Sequence, residues 1–161
     1  MRVHIASDHA AWELFQDLIT FLTEQGHDVV NHGAFTLDPL DDYPVFVLRA
    51  AEAVAADPES LGVVLGGSGN GEQMAANKVA GIRAALCYDE EMARLAREHN
   101  NAQIISIGGR MATMDDARAM VSTFLATAFS AEPRHQRRID MLTAYEQDST
   151  LPSAAEPPTG G

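Results

Sequence analysis

Five short apolar runs, at residues 3–7, 28–32, 62–65, 83–87 and 103–107, recur along the chain with longer segments between them. The longer segments carry helical spacing: Leu14, Phe15, Leu18, Ile19 and Leu22 fall on one face, as do Ala117, Met120, Val121, Phe124 and Leu125. Strand and helix alternate, and that alternation predicts a parallel sheet with helices on both faces, an α/β fold in three layers. Gly26 stands where the first helix should be capped, and Pro44 suits the first turn of the second. A third helix is expected over 71–78 and a last one over 133–147. With 161 residues the chain fits one domain, expected over 1–148, and the Pro- and Gly-rich stretch 149–161 reads as a mobile tail.

In an open parallel sheet, ligands bind beyond the carboxyl ends of the strands. Three loops qualify: Ser7-Asp8-His9 after the first strand, Gly66-Gly67-Ser68-Gly69-Asn70-Gly71-Glu72 after the third, and Gly108-Gly109-Arg110 after the fifth. The middle loop is the most informative. Its glycines let backbone N–H groups converge on one point, and the helix start adds partial positive charge. Such a loop suits a phosphate or an oxyanion formed during a reaction. It is no Walker loop, since Glu72 stands where Lys is needed, and no nucleophile elbow or dinucleotide fingerprint either. A plain strand-to-helix turn is the alternative. Glu72 is either a general base beside that cradle or a carboxylate that complements the helix dipole. Asp8 and His9 are either a polar pair for a sugar phosphate or an N-cap beside a surface histidine.

The run Arg134-His135-Gln136-Arg137-Arg138 reverses the sign of an acidic chain, whose net charge is −12. Arg134, Arg137 and Arg138 share a helical face and match phosphate oxygens, or form a solvated face paired with carboxylates. His99, in Glu98-His99-Asn100-Asn101, ends a helix and precedes the fifth strand. It is therefore expected at the amino edge of the sheet, away from the three loops, where it caps a helix or serves a site on another subunit. The acidic balance disfavours nucleic acid and anionic lipid as partners. No stretch approaches 18 consecutive apolar residues, so no membrane span is expected. The six histidines lack an H-E-x-x-H pattern and Cys87 is the lone cysteine, so no metal site is expected. A single cysteine and no leader-like apolar segment after Met1 point to a cytoplasmic location.

In this order the motifs resemble the type B ribose-5-phosphate isomerase family, which also holds isomerases of galactose 6-phosphate and allose 6-phosphate. The matching pieces are Ser7-Asp8-His9-Ala10, Asp42-Tyr43-Pro44, the glycine loop, Ala75-Ala76-Asn77-Lys78, Arg97-Glu98-His99-Asn100-Asn101, Gly108-Gly109-Arg110 and the arginine run; they span residues 7–138. The resemblance implies a Rossmann-like five-stranded sheet of order 2-1-3-5-4 with a C-terminal helix. It also implies a homodimer with interface sites and a metal-free, cofactor-free aldose–ketose isomerase of the pentose phosphate pathway. Glu72 would be the base and Ser68 a proton relay; His99, with Asp8, would open the sugar ring. His9, Arg110, Arg134 and Arg138 resemble the phosphate ligands. Tyr43, Gly67 and Asn100 match positions lining the sugar, and Gly69, Asn70 and Gly71 belong to the oxyanion cradle. Part of the family carries a cysteine base where this chain has Gly66, which leaves the proton to Glu72. A hexose 6-phosphate isomerase and a non-catalytic sugar-phosphate binding module are the alternatives.

Overall fold

The computed structural model describes residues 1–154. It forms a five-stranded sheet in which every pairing is parallel, in the order β2-β1-β3-β5-β4. The strands are β1 (Arg2–Ser7), β2 (Asp28–Asn31), β3 (Leu61–Gly66), β4 (Ala84–Leu86) and β5 (Ile104–Gly108). The helices are α1 (Trp12–Glu24), α2 (Pro44–Ala56), α3 (Asn70–Ala76), α4 (Glu90–Asn100), α5 (Met114–Ala126) and α6 (Pro133–Asp148). The expected order and the C-terminal helix are both present.

Two apolar clusters sandwich the sheet. On one face Leu14, Phe15, Leu18 and Leu22 of α1, Ala93 and Ala96 of α4, and Met120, Val121 and Phe124 of α5 pack against Val3, Ile5, Val63, Leu65, Ile105 and Ile107. On the other, Val47, Ala50, Ala51 and Val54 of α2 and Ala76 of α3 pack against Ala6, Val64 and Ile104. The central strands β1, β3 and β5 are buried on both faces, which is why they read as continuous apolar runs instead of alternating ones. Each fully buried Phe or Leu contributes roughly 1.5–3 kcal/mol, so α1 and α5 are anchored almost entirely by this packing.

Several boundaries differ from the sequence reading by one or two residues. The helix expected over 71–78 stops at Ala76, because Asn77 turns its side chain to the β4 backbone: Nδ2 donates to Ala84 O at 2.9 Å and Oδ1 accepts from Ala84 N–H at 2.9 Å. Strand β4 is correspondingly short, and Arg83 is drawn away to donate to Asn100 O at 2.8 Å. A 3-10 turn, His9–Ala11, precedes α1, with Asp8 as its N-cap accepting from Ala10 N–H at 2.9 Å. Helix α6 runs one residue beyond 147, and residues 149–154 follow it without regular structure. The rest of the expected tail, 155–161, lies outside the described residues. Among those described, no helix is long and apolar enough to cross a membrane.

Candidate active site

The carboxyl ends of β1, β3 and β5 open onto a cleft of about 450 Å³ lined by Asp8, His9, Ala10, Tyr43, Gly67, Ser68, Gly71, Glu72, Arg110 and Met111. All three loops expected to carry ligand contacts therefore meet there. Their glycines allow the approach. Gly69 adopts φ +80°, and a Cβ on it would lie 2.6 Å from Leu86 Cδ1. Backbone bonds then tie the loops together, from Gly109 N–H to Gly66 O at 2.8 Å and from Arg110 N–H to Gly67 O at 3.1 Å.

Glu72 is the centre of the site. It lies in the first turn of α3 and is only 4% exposed. Burial pushes its carboxyl above the ordinary range; the nearby charge of Asp8 adds to the rise, while the backbone N–H groups of Glu72 and Gly69 oppose it. A carboxyl so placed is poised to take and return a proton nearer neutrality than an exposed one. Gly66 makes the position possible, because a Cβ at residue 66 would fall within the Glu72 carboxyl group. The backbone amides of Gly69 and Glu72 are near enough to the Glu72 carboxyl to favour its charged form. Gly71, also of the expected cradle, lines the cleft, and an amide this early in a helix has no intrahelical acceptor.

The remaining cleft residues surround this carboxyl. Ser68 is exposed, and its Oγ accepts from Asn70 N–H at 3.3 Å and from Asn70 Nδ2 at 3.2 Å. Asn70 therefore positions the serine from the loop's outer side. Asp8 is buried, and burial raises its carboxyl above the usual range against the opposing hydrogen bond from Ala10. Asp8 is thus both an N-cap and a wall of the cleft. Tyr43 packs over the loop, so that a Cβ on Gly71 would lie 2.7 Å from its ring.

Three residues at the site escaped the sequence reading. Asp41 accepts from His9 Nδ1 at 2.6 Å; the pair of acids ahead of Tyr43-Pro44 was its signal. Ser106, buried in β5, donates from Oγ to Gly69 O at 2.7 Å. Met111 lines the rim beside Arg110. Asp8, His9 and Asp41 bring metal-ligand atom types within 4.8 Å of one another, but His9 Nδ1 is committed to Asp41. The trio is an imidazole hydrogen-bonded to Asp41, with the Asp8 carboxyl nearby.

His99, Asn100, Arg134 and Arg138 do not join this cleft. They form a second group at the amino edge of the sheet, where α4 ends and α6 begins. The rings of His99 and His135 lie 4.2 Å apart, and His135 is fixed by Ser130 Oγ at 2.8 Å from its Nδ1. Arg134 pairs with Glu132 at 2.7 Å, as the bland reading of the arginine run allowed. Arg138 is exposed and has no carboxylate partner among the described residues.

Known proteins resemble this chain in sequence and in fold. A family model described as Ribose/Galactose Isomerase matches residues 3–142. The chain is 57% identical over 152 residues to ribose-5-phosphate isomerase B of Mycolicibacterium paratuberculosis, covering 94% of this chain and 96% of that one. It is 54% identical to the protein of the same name from Mycobacterium tuberculosis, covering 94% of each chain. Among solved structures, ribose-5-phosphate isomerase B from Mycoplasma genitalium with bound ribulose-5-phosphate superposes with a TM-score of 0.88 at 38% identity, covering 91% of this chain and 97% of that one. The Clostridium thermocellum isomerase gives the same TM-score of 0.88 at 38% identity, covering 93% and 100%.

Proposed function

The chain belongs to the ribose/galactose isomerase family, and from that premise we propose that it interconverts ribose 5-phosphate and ribulose 5-phosphate through an enediolate. The observation that carries the reading is a buried carboxyl, Glu72, at the floor of a cleft that also holds His9 and Arg110. The names of the relatives and the ribulose-5-phosphate bound by the Mycoplasma protein supply the substrate class.

The residues divide the chemistry as follows. The substrate phosphate lies against His9 and Arg110. Glu72 removes the C2 proton of the open-chain aldose; the C2–H electron pair becomes the C1=C2 bond, and the carbonyl π pair moves onto O1. The Gly71 amide faces the charge that develops there, and a preorganised donor of this kind is worth roughly 2.7–4 kcal/mol. Ser68 passes the O2 proton to O1. Glu72 then returns its proton to C1 as the C2 carbonyl forms, so no atom is gained or lost. One carboxyl suffices because both carbons present the same face.

Ring opening needs a further acid–base group, since in this reading Glu72 is given to the C2 proton and His9 to the phosphate. We assign it to His99 of a second copy, assisted by Asp8, with Asn100, Arg134 and Arg138 of that copy closing over the sugar and its phosphate. The support is that these residues form a prepared polar group with no substrate cleft of their own. Exposed apolar side chains of the same helix as Arg134 and Arg138, Met141 and Leu142, supply surface for such a homodimer. Residues 1–148 make up the catalytic unit in this reading.

The test is the appearance of ribulose 5-phosphate from ribose 5-phosphate, with allose 6-phosphate compared in parallel. Glu72→Gln should lower kcat by at least about 10²–10⁴-fold and leave sugar-phosphate binding nearly intact, as loss of a positioned proton-transfer group does. Full turnover by that variant would remove Glu72 as the base.

A further inference from the structure

Asp41 makes the closest polar contact at the cleft wall, and the chemistry above leaves it without a role. Its Oδ1 accepts twice from one residue, from the His9 backbone N–H at 3.0 Å and from Nδ1 at 2.6 Å. The Asp41 side chain is 9% exposed, and its Oδ2 is buried with no hydrogen-bond partner among the described residues. A turn holds it in place: Asp38 accepts from Leu40 N–H through Oδ1 at 3.0 Å and from Asp41 N–H through its carbonyl at 3.1 Å. Burying a carboxylate with one oxygen unspent is costly unless its charge acts on something. The cation-forming group it touches is His9.

We infer that Asp41 is a positioning residue that holds His9 as an imidazolium, tying down Nδ1–H and leaving Nε2–H for the substrate phosphate. This rests on the assignment of His9 to the phosphate made above. The geometry gives protonation an unusual weight. With Nδ1–H bound to Asp41, the neutral ring has a bare lone pair at Nε2, which repels a phosphate oxygen. The cation has a donor there instead. Charge on His9 therefore decides between repulsion and attraction, and Asp41 sets that charge. The groups facing the ring agree: the Asp41 hydrogen bond and the charges of Asp8 and Asp41 raise its pKa, desolvation and Arg110 lower it, and the net shift is upward. An unassisted histidine, near about 6.5, is mostly neutral at physiological pH.

The experiment compares the wild-type enzyme with Asp41→Asn and Asp41→Glu. Asp41→Asn keeps an acceptor and removes the charge. Its KM for ribose 5-phosphate should rise about tenfold near pH 7.5 with kcat within about twofold, the loss expected when a charge-assisted contact is weakened. The ratio of variant to wild-type KM cancels the titration of the phosphate itself. That ratio should approach one near pH ~5.5, where both histidines are protonated, and grow as pH passes the variant's lowered His9 pKa. Asp41→Glu should recover most of the loss. In parallel, the His9 Cε1–H resonance of the free protein, identified by its absence from His9→Asn, should titrate at lower pH in Asp41→Asn, and inorganic phosphate should bind that variant more weakly.

A KM ratio that is the same at every pH means a merely structural role and overturns the inference, as does an unchanged His9 titration. A lowered His9 titration with unchanged phosphate binding overturns the link to phosphate. If the wild-type chain fails to isomerise ribose 5-phosphate, the proposed function falls separately, while the resonance and phosphate measurements still decide the role of Asp41.

Discussion

Gly66 and Glu72 occupy one space between them. A Cβ at residue 66 would overlap the Glu72 carboxyl group, so a side-chain base at 66 and a carboxylate base at 72 exclude each other in this loop. Gly66→Cys alone should expel the carboxyl, cost about 1–3 kcal/mol by overpacking, and cut turnover by at least about a hundredfold. Adding Glu72→Ala vacates the space, so the double variant should regain the lost stability and show a measurable rate that iodoacetamide abolishes. Denaturant midpoints and initial rates of the single and double variants check this, and a fully active, alkylation-insensitive Gly66→Cys protein contradicts it. At this scale the sequence singled out Glu72 beside four clustered glycines but left it open between a base and a carboxylate that complements the helix dipole; its burial is what the fold adds. The sequence was silent about Asp41. A loop acid looks like any solvated charge until the fold brings it to His9, 32 positions earlier in the chain.

Elements were legible in proportion to how completely they bury one face. Helices α1 and α5 emerge from periodicity because a full apolar stripe meets the sheet, and β1, β3 and β5 because both faces are covered. Helix α3 was placed too far along the chain because its end is set by Asn77 reaching to Ala84, a contact between separate elements that no local pattern encodes. The same holds for the support beneath the glycine loop. Ser106 reads as a small polar residue within a strand, yet its buried hydroxyl carries Gly69 O at 2.7 Å and so fixes the backbone from which α3 and Glu72 depart. Ser106→Ala leaves that carbonyl with only the Gln73 N–H bond at 3.0 Å. It should lower unfolding free energy by about 0.5–1.5 kcal/mol and reduce kcat more than KM, because it loosens the backbone that carries Glu72 and not the residues assigned to the phosphate. Urea denaturation beside steady-state kinetics measures both, and a variant unchanged in each would show that the loop stands without the serine.

The whole molecule presents a division that topology anticipates. Helices in a parallel sheet run opposite to the strands, so a residue ending α4 must lie at the edge away from the cleft. His99 was expected there from the sequence, and it is found there. On the proposed function, one chain holds a proton-transfer half with Glu72 and a ring-opening half with His99, facing opposite ends of the sheet. What the sequence withheld is the surface by which the proposed homodimer would form, since interfaces are read from exposed apolar shape and not from periodicity. If each site draws one half from each subunit, Glu72→Ala and His99→Ala are defects in different halves of the same site. Each homodimer then carries two damaged sites. A mixed dimer carries one site with both defects and one with neither. Denaturing and refolding an equal mixture of the two variants should restore roughly a quarter of wild-type turnover on cyclic ribose 5-phosphate, because half the dimers are mixed and half their sites are intact. The two proteins mixed without unfolding should stay inactive until subunits exchange, which makes the time course a second readout. No recovery in mixtures shown by mass spectrometry to contain mixed dimers would place His99 and Glu72 in separate roles and leave ring opening to the residues of a single cleft.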